Sequence, residues 1–397
     1  MNGLGPRSVP SRTAGIGRID VHRIRLPLAR PWVSPVAALV DRELLLVAVT
    51  VEGVVGWGEC AAPVEPTYSP EYVDGALGVL ARHLIPRALQ GPVGDPADLD
   101  RILAPVKGHP MAKAALSAAY LDAHLRIRGV NLADHLAGLS RRVDLARWFR
   151  PAAVPAGAAV GVSDSIDALV SEVGDRVAEG YRRIKIKVHP GWDLEAVVAV
   201  RGAFGAGLAL QVDANATYGS LGVVEAARRL ARLDGHGLIM IEQPLGDEDL
   251  VGHARLAELL GTPVCLDESI SSYDVAVSAL ALRACGVLNL KPGRVGGLAP
   301  AVAIHDLCAD AGVAVWCGGM LETGVGRAAN LALATLPNFT LPGDLSASDR
   351  YWVNDVVTHP ARLRGDGSVA VPTGAGNGVE VIDDLSRWTL SIESWPR

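Results

Sequence analysis

Six ionisable side chains sit where apolar runs would bury them: Lys185 and Lys187 in "YRRIKIKVHPGW", Asp213 in "LQVDAN", Glu242 in "IMIEQP", Asp267 in "VCLDES" and Lys291 in "VLNLK". The three carboxylates each end an apolar run, so together they predict a site in which like charges crowd and a cation must compensate them. Oxygen donors without His or Cys suit a hard ion, Mg²⁺ with Mn²⁺ as a substitute. Taken singly, each acid reads as readily as a helix cap or a surface residue; their common register makes them a set. Asn215, two residues after Asp213, shares its side if the strand persists, and would orient that ligand or touch the metal's water. Glu268 adjoins Asp267 and should point away from it, in a supporting or a purely structural role.

Lys185 and Lys187 are two apart and so face one side of a strand, while Ile184, Ile186 and Val188 face the other. A free lysine, with a pKa of ~10.4, is too basic to act as a general base near neutrality, but a neighbouring cation and partial burial bring it toward ~7–8. Lys185 is such a cation for Lys187. A metal holding a substrate carboxylate would stabilise the enediolate left when the adjacent C–H loses its proton. Two lysines on opposite faces then permit racemisation, or elimination when one is idle as a base. Two alternatives stand beside this: surface lysines snorkelling from an edge strand, and a Schiff-base role for Lys291.

The elements that must position these groups follow from spacing. From Lys187 through Asp213, Glu242, Asp267 and Lys291 to Cys317 the intervals are 24 to 29 residues, about one strand-helix unit each. Such units in series predict a barrel with its functional groups at the C-terminal strand ends. Lys291, four units after Lys187, should stand across the mouth from it. Ahead of this region, "IDVHRIRLPL" and "ELLLVAVTVEGVVGWGE" read as antiparallel strands with a turn at Glu52-Gly53, and "MAKAALSAAYLDAHLRIRG" reads as a helix stopped by Gly129. The expected organisation is a flexible tail at 1–18, an α+β cap at 19–138, a linker at 139–157, a barrel at 158–345 and a returning segment at 346–397.

Composition narrows the class. The 397 residues are 49% apolar and 20% charged, with a net charge of −6 and no basic block, which argues against nucleic acid as a partner. No run approaches the ~18 apolar residues of a membrane span, and five scattered cysteines without a C-x-x-C pair signal neither a disulfide framework nor a zinc site. A cytoplasmic protein is expected.

The motifs "KIKVHPGWD", "LQVDAN", "IEQPL", "PVCLDESI", "LNLKPGRVGG" and "VWCGGMLETGVGRAANLALATLPNFTLPGDLSASDR" resemble the enolase superfamily, in its o-succinylbenzoate synthase and N-succinylamino acid racemase family, from about Arg18 onward. The resemblance implies a (β/α)7β TIM-like barrel with an α+β N-terminal capping domain. It further implies metal ligation by Asp213, Glu242 and Asp267, Lys187 as base on one face, Lys291 as acid/base or stabilising cation on the other, and Lys185 as a modulator. Arg294 would tune Lys291, with Asn215 and Glu268 supporting the ligands. Trp32, Tyr68, Ala159, Gly319 and Met320 would contact a small-molecule carboxylate, in a homo-oligomeric enzyme without membrane or nucleic-acid partners. Departures fall in this pocket: "PWVSPVA" puts Trp32 and Val33 where the family has an aromatic and an arginine, Pro63 stands for a methionine, and Ala159 for a serine. "SRRVDLARWFRP" before the barrel is insertion-like. Competing readings are a racemase, epimerase or cycloisomerase of the superfamily acting on another acid, and a catalytically silent binder on the same fold. The region "NFTLPGD" lacks the D-x-D expected of a dipeptide epimerase.

Overall fold

The computed structural model describes residues 15–33 and 38–397. The chain opens with an antiparallel hairpin of long strands, β1 (Ile16–Val33) and β2 (Ala38–Val51), followed by β3 (Val54–Cys60). The β2-β3 turn is the expected one, Glu52 and Gly53 both having positive φ, 49° and 80°. β2 is buried almost continuously because both faces are covered. Leu45, Val47 and Val49 pack on cap helices, whereas Leu44 and Leu46 pack with Ile24 and Leu26 on Val325, Trp352 and Trp388.

The helices α1 (Val73–Val79), α2 (Ile85–Leu89), α3 (Pro96–Leu103), α4 (Pro110–Arg128) and α5 (Leu132–Leu139) follow. α4 ends at Gly129, whose φ of 65° is the left-handed conformation that stops the helix. β3 lies against α4 because Gly56 and Gly58 present no side chain to it: a methyl at Gly58 would overlap the Ala115 carbonyl and the Ala119 nitrogen. A short strand β4 (Ala153–Pro155) leads into the barrel strands β5 (Gly157–Val160), β6 (Arg183–Lys187), β7 (Ala209–Asp213), β8 (Ile241–Glu242), β9 (Val264–Leu266), β10 (Val287–Leu290) and β11 (Ala314–Cys317). Between and after them run α6 (Ile166–Glu179), α7 (Leu194–Phe204), α8 (Val223–Leu230), α9 (Leu250–Leu259), α10 (Tyr273–Ala281), α11 (Leu298–Asp310) and α12 (Gly324–Leu333).

β5 to β11 form one parallel sheet in sequential order. No regular eighth strand completes it among the described residues; an irregular segment does. The Gly157 amide donates to the Gly343 carbonyl at 2.7 Å and the Asp344 amide to the Cys317 carbonyl at 2.9 Å, so residues 343–344 join the first and last strands. Arg183 reinforces this seam, donating to the Pro342 carbonyl at 2.7 Å and to Asp344 at 2.7 Å. The barrel's outward residues, Ile184, Ile186, Val188, Val212 and Leu288 among them, form the core with the helices. Met240, Cys265, Val287 and Trp316 pack as a separate apolar cluster.

Two boundaries differ from expectation. Strand pairing begins at Ile16, which pairs with Val51, so Ile16 to Arg18 are strand and not tail, while residues 1–14 lie outside the described ones. The stretch expected as linker ends in β4, which pairs with β12 (Ser368–Ala370). Within residues 346–397, "SVAVPTGAGNGVEV" contributes β12, and the strand that joins the cap sheet is β13 (Thr389–Pro396), giving the order β13-β1-β2-β3.

Because the atoms facing Gly58 are helix backbone and cannot swing away, Gly58→Ala should destabilise the protein by about 3 kcal/mol. Urea unfolding followed by tryptophan fluorescence measures this, and an unchanged midpoint would contradict the packing described.

Candidate active site

All five residues of β6 are buried. Lys185 and Lys187 point into the barrel, as alternation requires once the apolar residues between them face the helices. Arg183 and Lys185 stack over Trp316, each 5.0 Å from its ring centroid. Trp316, fully buried and donating its indole N–H to the Cys265 sulfur at 3.3 Å, thus floors the polar layers above it.

Above that floor, cations and carboxylates interleave. Lys185 Nζ lies 2.6 Å from Asp344, 3.1 Å from Glu242 and 3.3 Å from Asp213. Lys187 Nζ donates to Asp213 at 2.7 Å and to the Asn215 side-chain oxygen at 2.6 Å. Across the mouth, Lys291 Nζ donates to Asp267 at 2.8 Å and contacts the Tyr68 hydroxyl at 2.7 Å. Arg294 pairs with the other Asp267 oxygen at 2.5 Å and also reaches the Tyr68 hydroxyl. Both cations meet Tyr68 at its hydroxyl end, each 5.3 Å from the ring centroid. Glu242 accepts from Gln211 at 3.0 Å and from Asn289 at 2.8 Å.

Burial would raise every one of these acids, and what decides the outcome is the cation each one meets. Lys187 and Lys185 hold Asp213 below its ordinary value against that penalty. Arg294 and Lys291 do the same for Asp267. Glu242 is pushed up to about 8, by burial and then by the charge on Asp213, which Lys185 offsets only in part. Glu268 is pushed up to about 7 by burial, Asp267 and Asp213. Burial would lower the Lys185 ammonium, yet Asp344, Glu242 and Asp213 outweigh it and hold the group protonated. Lys185 thus sits as a cation among the inner carboxylates as well as beside Lys187.

Among the described residues, no three His, Cys, Asp or Glu side chains are grouped as a preformed metal cage. Each expected ligand instead leans on an ammonium or guanidinium. The donor set still fits a hard divalent cation: it is all oxygen, its central carboxyl is raised by burial and by like charge, and buried oxygens of Glu268, Gln211 and Asn289 lack any hydrogen-bond partner.

Asn215 reaches its place by a different route from the one expected. The strand does not persist; Asn215 has φ 40° and Ala216 φ 63°, a left-handed turn that still brings the Asn215 oxygen to Lys187. Its amide nitrogen donates to Glu268 at 2.8 Å, so Glu268 is drawn into the cluster and not directed away. Trp32, Tyr68, Ala159, Gly319 and Met320 all line one cavity of about 410 Å³ together with the three lysines, Asp213 and Asp267. Residues 34–37 of the cap loop lie outside the described ones. Sequence reasoning missed Asp344, Gln211, Asn289 and the floor residue Trp316. Asp344 follows Cys317 by the same interval that separates the other strand ends, and that was the signal for it.

Residues 168–385 match the family model described as enolase C-terminal domain-like. An N-succinylamino acid racemase from Amycolatopsis is 47% identical over 377 residues, covering 95% of this chain and 98% of its own. An o-succinylbenzoate synthase from Geobacillus kaustophilus is 43% identical, covering 91% of this chain and 92% of its own. The crystal structure of an enolase-superfamily member from Listeria innocua superposes with a TM-score of 0.88 at 34% identity, covering 96% of this chain and 99% of that one. With the lysine pair, the three strand-end carboxylates and the capped barrel in one chain, the protein belongs to the enolase superfamily, among its o-succinylbenzoate synthases and N-succinylamino acid racemases.

Proposed function

We propose that this chain moves a proton at the carbon next to a substrate carboxylate, catalysing the o-succinylbenzoate synthase dehydration, the N-succinylamino acid racemisation, or both. The observation that carries the reading is a pair of ammonium groups, Lys187 and Lys291, on strands four apart around one barrel mouth, with a band of carboxylates between them. Enzymes of this superfamily generally depend on a divalent metal. The ion proposed here is Mg²⁺, with Mn²⁺ as a substitute, held by Asp213, Glu242 and Asp267. When bound, it supplies a Lewis acid that stabilises negative charge developing on the substrate carboxylate.

The remaining work falls to the chain. Lys187, steadied by Asp213 and Asn215, takes the proton from one face. Lys291, steadied by Asp267 and Tyr68, returns a proton on the other face in racemisation; in dehydration it offsets the developing charge by its own, and the proton taken up by Lys187 leaves with the departing hydroxide as water. Arg294 shares Asp267 with Lys291 and so sets how strongly that carboxylate holds the lysine. Lys185 neutralises the inner carboxylates. Trp32, Tyr68, Ala159, Gly319 and Met320 would enclose the rest of a small carboxylic acid.

Proton NMR in D₂O with Mg²⁺ tests the reading, offering N-succinyl amino acids and, separately, the cyclohexadiene precursor of o-succinylbenzoate. Loss of the α-proton signal, or appearance of the aromatic product, is expected, and EDTA should abolish either; turnover of neither substrate would refute the named activities. Lys187→Ala and Lys291→Ala should each slow racemisation by on the order of 10²–10⁴-fold. Each should still exchange the α-proton of one enantiomer, opposite for the two variants. If both variants retain exchange of the same enantiomer, the two-faced assignment is wrong.

A further inference from the structure

The cavity has two walls that come from different parts of the chain. One is the cap loop 61–68, with Pro63, Val64 and Tyr68; the other is the barrel loop 318–322, with Gly319, Met320 and Leu321. Both walls are rooted at a single junction. Glu59, at the end of β3 and two residues before the first wall, accepts from the Thr323 amide at 3.0 Å, the Thr323 hydroxyl at 2.6 Å and the Gly326 amide at 2.9 Å. Thr323 immediately follows the second wall and caps α12. A cap-domain carboxylate therefore sits at the N-terminus of a barrel helix, where both the free amides and the dipole favour a negative charge. Gly326 leaves the carboxylate room, since a side chain there would meet the Glu59 Oε2 at 3.0 Å and Glu322 more closely still.

A second tie lies beside it. The buried Arg42 guanidinium donates to the carbonyls of Ala61 and of Ala62, the latter at 3.0 Å, and reaches the Met320 carbonyl at 3.5 Å. It thus touches the backbone of both walls at once. Burial, with Glu322 nearby, outweighs these donors and pushes the Glu59 carboxyl up to about 8, so it holds its place by accepting three hydrogen bonds and not by its charge.

We infer that Glu59 is a positioning residue which, together with Arg42, ties the cap loop 61–68 to the barrel loop 318–322 and so sets the width of the cavity away from the lysines. The inference rests on the proposed reading only in taking this cavity as the substrate's. Neither residue contacts the lysine-carboxylate cluster, and Tyr68 at the far end of the cap loop is held separately by Lys291, Arg294 and Asp267, so the effect falls on fit and not on the proton transfer itself.

Hydrogen exchange read by mass spectrometry tests the tie without any substrate. Glu59→Gln should raise exchange in peptides covering 61–68 and 318–322 together, by about tenfold or more, and leave β6 to β10 unchanged. Thr323→Val, which removes the hydroxyl donor together with its long cap bond to the Val325 amide, should do the same more weakly, and Thr323→Ser, which keeps both, should not. A rise in one loop alone, in neither, or uniformly through the barrel overturns the inference. In turnover, Glu59→Gln should raise KM for an N-acyl amino acid with a bulky side chain about tenfold more than for N-acylalanine, the smallest chiral member of the series. Equal losses on both overturn it too. Should the wild-type enzyme act on neither acid, the proposed activity fails while the exchange data still decide the tie.

Discussion

The arrangement depends on charge balance in a space too apolar to tolerate imbalance. Four carboxylates, those of Asp213, Glu242, Asp267 and Asp344, meet the ammonium and guanidinium groups of Lys185, Lys187, Lys291, Arg183 and Arg294 within the barrel, and a fifth, Glu268, is held beside them by Asn215. An isolated charge in such a place costs several kcal/mol, so each group is stable only because its neighbours are present. The balance is uneven in a useful way. Asp213 and Asp267 are held ionised by their partners, while Glu242 is left partly uncompensated at the centre, where an added cation gains the most. The same lattice holds the two flanking lysines in fixed positions, which is what a proton transfer with defined faces requires.

That balance also explains how the barrel closes. Seven strands pair by regular ladders, but the seam at 342–346 has only a few backbone bonds and relies on Arg183 and Lys185 gripping Asp344. Arg327 adds a bond to the Asp344 carbonyl at 2.6 Å. Closure and the inner layer of the site are thus one network, so the residues that complete the fold are also those that neutralise its acids.

Most of this was legible in sequence where a side chain interrupts a strong pattern. Lys185 and Lys187 stood out because they break an apolar run with a period of two, and the strand-end acids because they recur at one strand-helix interval. The cap hairpin was legible from Glu52-Gly53. What was not legible depends on partners distant in the chain. Asp344 lies in "LPGDLS", which has no strand periodicity, because side chains from other strands hold it. β13 has the weak alternation of an edge strand, and only its pairing with β1 reveals its place. Asn215 was expected on a persisting strand and instead turns left-handed. The sequence alone could not show that Glu268 would be recruited by it.

The pairing of Arg18 with Pro396 joins positions at opposite ends of the sequence. A chain emerging from the ribosome at ≈ 5–20 residues per second exposes every barrel strand before β13 is available to complete the cap sheet. Long-range pairings of this kind form late because closing so large a loop is entropically costly. The cap sheet therefore cannot be completed until every barrel strand has been synthesised, and β1 must wait for its second neighbour until the last element of the chain emerges.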